Sequence, residues 1–209
     1  MSLQSLVSFV MNEFYKEKSG IYRLKVPFES IYTSVFLIEA EQGAILVDCA
    51  STAEDVDEFI IPALKKAGKN ISDIIAIVLT HRHKDHAGGL ERLMFLMPQV
   101  EVITDICPVI DGIYTYPMSG HTKDCIGILD ERTRTLISGD GLQGDGVDKY
   151  PCYTQDREAY LRTIEKIKTD AMIENILFSH AYRPMNENGV FGREKTSDWL
   201  TKCIEYVGE

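Results

Sequence analysis

The chain has 209 residues, 26% of them charged, and a formal net charge of −10 at neutral pH, enough length for one sizeable core of ordinary globular composition. With no Lys/Arg block, that acidic balance argues against nucleic acid as a partner, because phosphate binding needs a basic stripe. Five cysteines, an odd number without a Cys-x-x-Cys pair, read as reduced thiols and predict a cytoplasmic setting.

At the N-terminus no basic segment precedes a long apolar run, so no signal peptide is expected. No stretch reaches membrane-spanning length, so no membrane partner is expected. Leu3, Leu6, Val7, Val10, Met11 and Phe14 recur at steps of three and four, which predicts a helix over residues 2–15 with one apolar face. That face packs on its own domain or, as the alternative, forms a homodimer contact. Strands are predicted over 21–26, 33–40 and 44–48, the last two joined by a turn at Glu41-Gln42-Gly43. Ser51 or Thr52 caps a helix over 53–67; Glu54 and Asp55 suit its positive end, and Gly68 stops it.

The apolar run 74–79 predicts a buried strand. Thr80 to Gly89, Thr-His-Arg-His-Lys-Asp-His-Ala-Gly-Gly, then forms a turn at its carboxyl end, the edge where ligands bind in α/β sheets. His81, His83, Asp85 and His86 fall there within six positions, and they include three of the chain's five histidines. Imidazole with carboxylate suits Zn, Fe or Mn. In extended chain His81 and His83 point to one side and can grip one ion. Asp85 and His86 lie where the chain turns and can hold a second.

Further on, the pattern predicts a helix to Met97, strands near 100–104 and 112–118, and a hairpin of 126–129 with 135–138. Residues 141–154 carry the glycines, proline and acids of an irregular loop, with no Gly-Lys-Ser/Thr to make it a phosphate loop. A helix over 156–168, a strand over 176–178 and a helix over 193–206 complete the chain. Composition and periodicity alone support α/β or α+β.

His81-x-His83-x-Asp85-His86, with Thr80 before it and Gly88-Gly89 after, resembles the signature of the metallo-β-lactamase-fold superfamily. That family supplies three further ligands: a histidine in a Gly-His-Thr turn, an aspartate closing a strand as Gly-Asp, and a histidine after a late strand. Gly120-His121-Thr122, Gly139-Asp140 and Ser179-His180 follow in that order and use the two remaining histidines. Relatives often have Gly-His-Gly at the last of these, where this chain has Ser179-His180-Ala181.

The resemblance implies an α+β fold, a four-layer αββα sandwich, as a single domain over 1–209 with residues 1–19 as an extra N-terminal helix. It implies two divalent metal ions, zinc foremost, with iron or manganese as alternatives. His81, His83 and His121 would hold one ion and Asp85, His86 and His180 the other, with Asp140 bridging. Asp85 and Asp140 are the catalytic residues it implies, Asp85 also passing a proton to a leaving group. Asp48 stands where the family often has an aspartate that orients a histidine ligand; a helix cap or turn is the other reading. The implied activity is hydrolysis of an ester-like bond (thioester, lactone or phosphoester) in a small-molecule substrate. Family lactonases often have a tyrosine three positions past the bridging aspartate, where this chain has Gln143. An iron-dependent oxidoreductase of the same fold is the alternative, and a non-catalytic metal-binding protein the third reading. Gln143, Tyr150, Tyr153, Tyr182 and Arg183 are the candidate substrate contacts.

Overall fold

The computed structural model describes residues 12–29, 31–110, 112–142, 156–180 and 188–208. They form two compact units, Met1–Ile103 and Thr104–Glu209, each built on one six-stranded sheet.

In the first unit β1 (Tyr15–Lys18), β2 (Ile21–Phe28), β3 (Ile31–Ala40), β4 (Gly43–Val47), β5 (Ile74–Val78) and β6 (Glu101–Ile103) lie side by side in chain order. The first four strands form an antiparallel meander, while β4–β5 and β5–β6 are parallel. Parallel neighbours need crossover connections. The first crossover carries helix α1 over residues 53–66; the second carries the short α2 (Lys84–Ala87) and α3 (Leu90–Leu96). Alternate strand residues, among them Leu24, Val26, Val35, Leu37 and Leu46, form one core with Val56, Ile60, Ala63 and Leu64 of α1 and Leu93 of α3.

Thr52 caps α1, its hydroxyl accepting from Asp55 N at 3.1 Å. The helix is π-helical over Val56–Ile60 before Ile61–Lys66 resumes the α form. Pro62 has no N–H to offer the carbonyl of Glu58 four residues back. Asn12 Nδ2 donates to that carbonyl at 2.9 Å.

The helix expected over 1–19 does not extend through its second half. Tyr15–Lys18 is an edge strand whose backbone pairs with β2, and residues 12–14 are not helical. Ladder bonds to β2 win over the local helical spacing, and Phe14 packs against the first core. Residues 1–11, which would carry the expected homodimer contact, lie outside the described residues.

The second unit holds β7 (Pro108–Ile110), β8 (Ile113–Pro117), β9 (Ile126–Asp130), β10 (Thr135–Ile137), β11 (Asn175–Leu177) and β12 (Gly189–Phe191). Their spatial order is β12-β11-β10-β9-β8-β7, with only β10–β11 parallel among the described pairs. That crossover carries α4 (Arg157–Thr169), which Asp156 caps by accepting from Ala159 N at 2.8 Å. Tyr160, Ile164 and Ile167 of α4 form a second core with Trp199, Leu200, Cys203 and Val207 of α5 (Arg193–Gly208) and with Tyr116, Leu129, Leu136 and Ile176 of the sheet. The result is a mixed fold of two sheets with several helices. Among the described residues no helix is long and apolar enough to cross a membrane.

Candidate metal centre

The first group of ligands grows from two neighbouring strand ends. In the parallel register Val47 of β4 sits beside Val78 of β5, and Asp48 N donates to Val78 O at 2.9 Å. The chain then turns sharply, with Asp48 and Ala50 at φ of 63° and 60°. This turn is fastened to the loop after β5: Cys49 N donates to His86 O at 2.7 Å and Gly89 N to Ala50 O at 3.3 Å. A Cβ on Gly88 would lie 1.9 Å from Ser51 O, and one on Gly89 2.1 Å from Cys49 O. Two glycines therefore stand where the backbones touch.

Within this frame the buried Asp48 carboxylate accepts from Thr80 N at 2.8 Å, from the Thr80 hydroxyl at 2.8 and 3.0 Å, and from His86 Nδ1 at 2.7 Å. The helix cap is Thr52, not Asp48. On the other edge of the ring, His86 Nε2 lies 3.3 Å from Asp85 Oδ2. His81 Nε2 and His83 Nδ1 approach to 3.0 Å. His81, Asp85 and His86 are buried and His83 is exposed. Cys49, also buried, has its thiol pushed well above the ordinary range by desolvation, with the Asp48 charge adding to it. It is an inert core residue.

The second group grows from the other sheet. His121 lies in the turn between β8 and β9, behind Gly120 at φ 134°. A Cβ on Gly120 would come within 2.4 Å of the Tyr160 ring, so the turn sits flush on α4. Thr163 of α4 donates its hydroxyl to Ser119 O at 2.9 Å and holds the turn there. Asp140 lies in a 3-10 turn, Gly139–Gly141, just past β10 rather than closing that strand. The buried Ser138 hydroxyl bonds to Leu142 O at 2.9 Å and Leu177 O at 3.2 Å, tying this turn to the end of β11, which delivers His180. Asp140 Oδ2 lies 3.5 Å from His121 Nε2, and Oδ1 lies 3.2 Å from His180 Nε2. All three side chains are buried.

These residues fit a divalent transition metal. A carboxylate only accepts, so His86 gives Asp48 its Nδ1–H, and its Nε2, on the Asp85 side, is the nitrogen that would meet an ion. Asp140 turns a different oxygen toward each of two imidazoles, the arrangement a bridging carboxylate needs. Buried Asp85 and Asp140 add negative charge that a cation would compensate.

The seven ligands read from the sequence, with Asp48, fall in these two groups. Gln143, Tyr150, Tyr153, Tyr182 and Arg183 lie outside the described residues. The hydroxyls of Thr80 and Ser138 were not singled out as functional. Thr80 lies inside the motif, but its carboxylate partner is 32 positions upstream.

Residues 31–105 match the family model of the metallo-beta-lactamase superfamily. The chain is 28% identical over 130 residues to the atrochrysone carboxyl ACP thioesterase of Pseudocercospora fijiensis, covering 54% of this chain and 38% of that protein. It is 27% identical over 154 residues to the hydroxyacylglutathione hydrolase of Francisella philomiragia, covering 64% and 57%. The chain spans about half the length of the curated relatives it matches. Its fold is similar to that of a metallo-beta-lactamase from Hirschia baltica, with TM-score 0.68 and 20% identity over 91% of this chain and 97% of that one. The fold is thus similar to that of the metallo-beta-lactamases, and the family match over residues 31–105 includes the cluster from His81 to His86.

Proposed function

We propose that the chain is a metal-dependent hydrolase of a small molecule with an ester-like bond, a thioester being the first to test. His81, His83 and His121 would hold one divalent ion and Asp85, His86 and His180 a second, with Asp140 available to both. The observation that carries the dinuclear reading is Asp140, which presents one oxygen to His121 and the other to His180. Relatives named as a thioesterase and as a hydroxyacylglutathione hydrolase support the thioester.

When bound, divalent ions supply Lewis acidity, which lowers the pKa of water and stabilises a developing oxyanion. The chain's own groups fix geometry and move protons. Asp48 holds His86 by its Nδ1–H, so the ring cannot turn its other nitrogen away. Asp85, 3.3 Å from His86 Nε2, would take a proton from the attacking water and pass it to the departing thiolate or alkoxide. Protein purified without added metal, then refilled with Zn, Fe or Mn, should take up about two ions per chain. The refilled protein should hydrolyse thioesters in a panel that also holds lactones and phosphodiesters, and a chelator should abolish this. A ceiling of one ion under saturating metal overturns the dinuclear reading. Hydrolysis confined to another class of the panel overturns the thioester.

A further inference from the structure

We infer that the Thr80 hydroxyl is a positioning group that sets the tautomer of His81 and thereby chooses which ring nitrogen His81 offers to an ion; its metal-binding arm rests on the dinuclear reading above. Thr80 Oγ1 stands 2.8 and 3.0 Å from the two Asp48 oxygens and 3.1 Å from His81 Nδ1. The hydroxyl has one proton, and a carboxylate accepts but does not donate. That proton therefore goes to Asp48. Oγ1 then has only lone pairs to show to His81, so His81 carries its own proton on Nδ1. Nε2 keeps its lone pair, and Nε2 is the atom that approaches His83 Nδ1 at 3.0 Å.

His86 reaches the same state by a shorter route, since its Nδ1 meets Asp48 Oδ2 directly at 2.7 Å. One carboxylate thus orders two histidines, one by contact and one through Thr80. The 3.4 Å from Thr80 Oγ1 to His86 Nδ1 makes no comparable link. Thr80 and Asp48 are fully buried and His81 is 2% exposed, so bulk water does not stand in for the hydroxyl. Because Thr80 N separately donates to Asp48 Oδ1, removing the hydroxyl leaves the backbone bolted in place. The relay therefore serves His81 and not His86, and its loss falls on one metal position alone.

The test compares Thr80→Val with Thr80→Ser. In nitrogen-15 histidine spectra of the metal-free protein, wild type should show His81 protonated at Nδ1. Thr80→Val should give mixed tautomers at His81 with His86 unchanged, and Thr80→Ser should restore the wild-type signal. In chelator competition with zinc, Thr80→Val should weaken one of the two ions about ten- to a hundredfold and leave the other within about threefold, as loss of an orienting hydrogen bond does. His81 keeping its Nδ1 proton in Thr80→Val overturns the inference, and so do two wild-type affinities in that variant. If wild type takes up no ion at all, the dinuclear reading is what fails. The spectra then decide the tautomer claim by themselves.

Discussion

Asp48 Oδ2 lies 2.7 Å from His86 Nδ1, both side chains are fully buried, and 38 positions of chain separate them. Asp48 also sits at positive φ, which asparagine tolerates well. Asp48→Asn should therefore keep the turn but replace one of two acceptor oxygens by a donor NH2. Metal retention should fall about ten- to a hundredfold in chelator competition. Unchanged retention would mean that Asp48 only closes the turn.

Asp140→Ala removes the carboxylate that faces both His121 and His180. Elemental analysis should show uptake dropping from about two ions to about one or fewer, since a bridging oxygen pair is lost. Circular dichroism should stay near wild type, because a catalytic metal site sits on a framework with its own core. Full two-ion occupancy in the variant would refute the bridging role.

Gly88→Ala and Gly89→Ala each drive a methyl into a backbone carbonyl, at 1.9 and 2.1 Å. The loop carrying Asp85 and His86 must then part from residues 48–52. Each change should cost about 1–3 kcal/mol, as overpacking does, and should reduce metal content as well as stability. Urea unfolding with metal analysis on the same samples checks both.

Tyr116 donates its hydroxyl to Asp170 Oδ2 at 3.2 Å, and burial followed by the Asp170 charge pushes its pKa up. An unfolded tyrosine ionises near pH 10, about where the folded one still holds its proton. The contribution of Tyr116 is therefore complete below pH of about 10 and is lost as pH rises toward the folded value. Tyr116→Phe should be about 1 kcal/mol less stable than wild type at neutral pH, and the gap should narrow in alkali. Denaturant unfolding at pH 8 and pH 10.5 reads this, at the sign stated. A gap that widens with pH would contradict it.

Arg193 closes the end of α4 from the start of α5, donating to Asp170 O at 2.5 Å, Ile173 O at 2.7 Å and Lys168 O at 3.0 Å. Carbonyls at a helix end have no partner within the helix. Arg193→Met should lose about 1–3 kcal/mol and lower Tm by several degrees, with metal content unchanged.

The candidate ligands were legible in the sequence because their signal is local. His81 to His86 sit in one turn, and the chain has only five histidines to assign. Strands with a local apolar run, such as β2 and β3, were legible for the same reason. What escaped depends on partners far along the chain. Tyr15–Lys18, Pro108–Ile110 and Gly189–Phe191 are strands of three or four residues that exist by pairing, and the proline and glycine that begin two of them read as turn signals. The Thr80–Asp48 contact needs the parallel register of β4 on β5, which no local pattern encodes. The π-helical stretch in α1 was not read from the sequence, although Pro62, inside that helix and without an N–H, marks where the α ladder must break.

The short rims of the two sheets bear on how the chain behaves at high concentration. An unpaired strand edge is a template for another chain, and long flat edges invite stacking into fibres. Among the described residues, β1 has four residues, a register shift between Lys16 and Lys18, and two lysines. β7 has three residues, a register shift and Pro108, which has no N–H to donate. β6 and β12 are three residues each. None of these rims offers an incoming strand more than a few consecutive hydrogen bonds. The longest strands, β2 and β3, lie inside their sheet with a neighbour on either side. Crowding should therefore favour contacts between side chains over edge-to-edge growth.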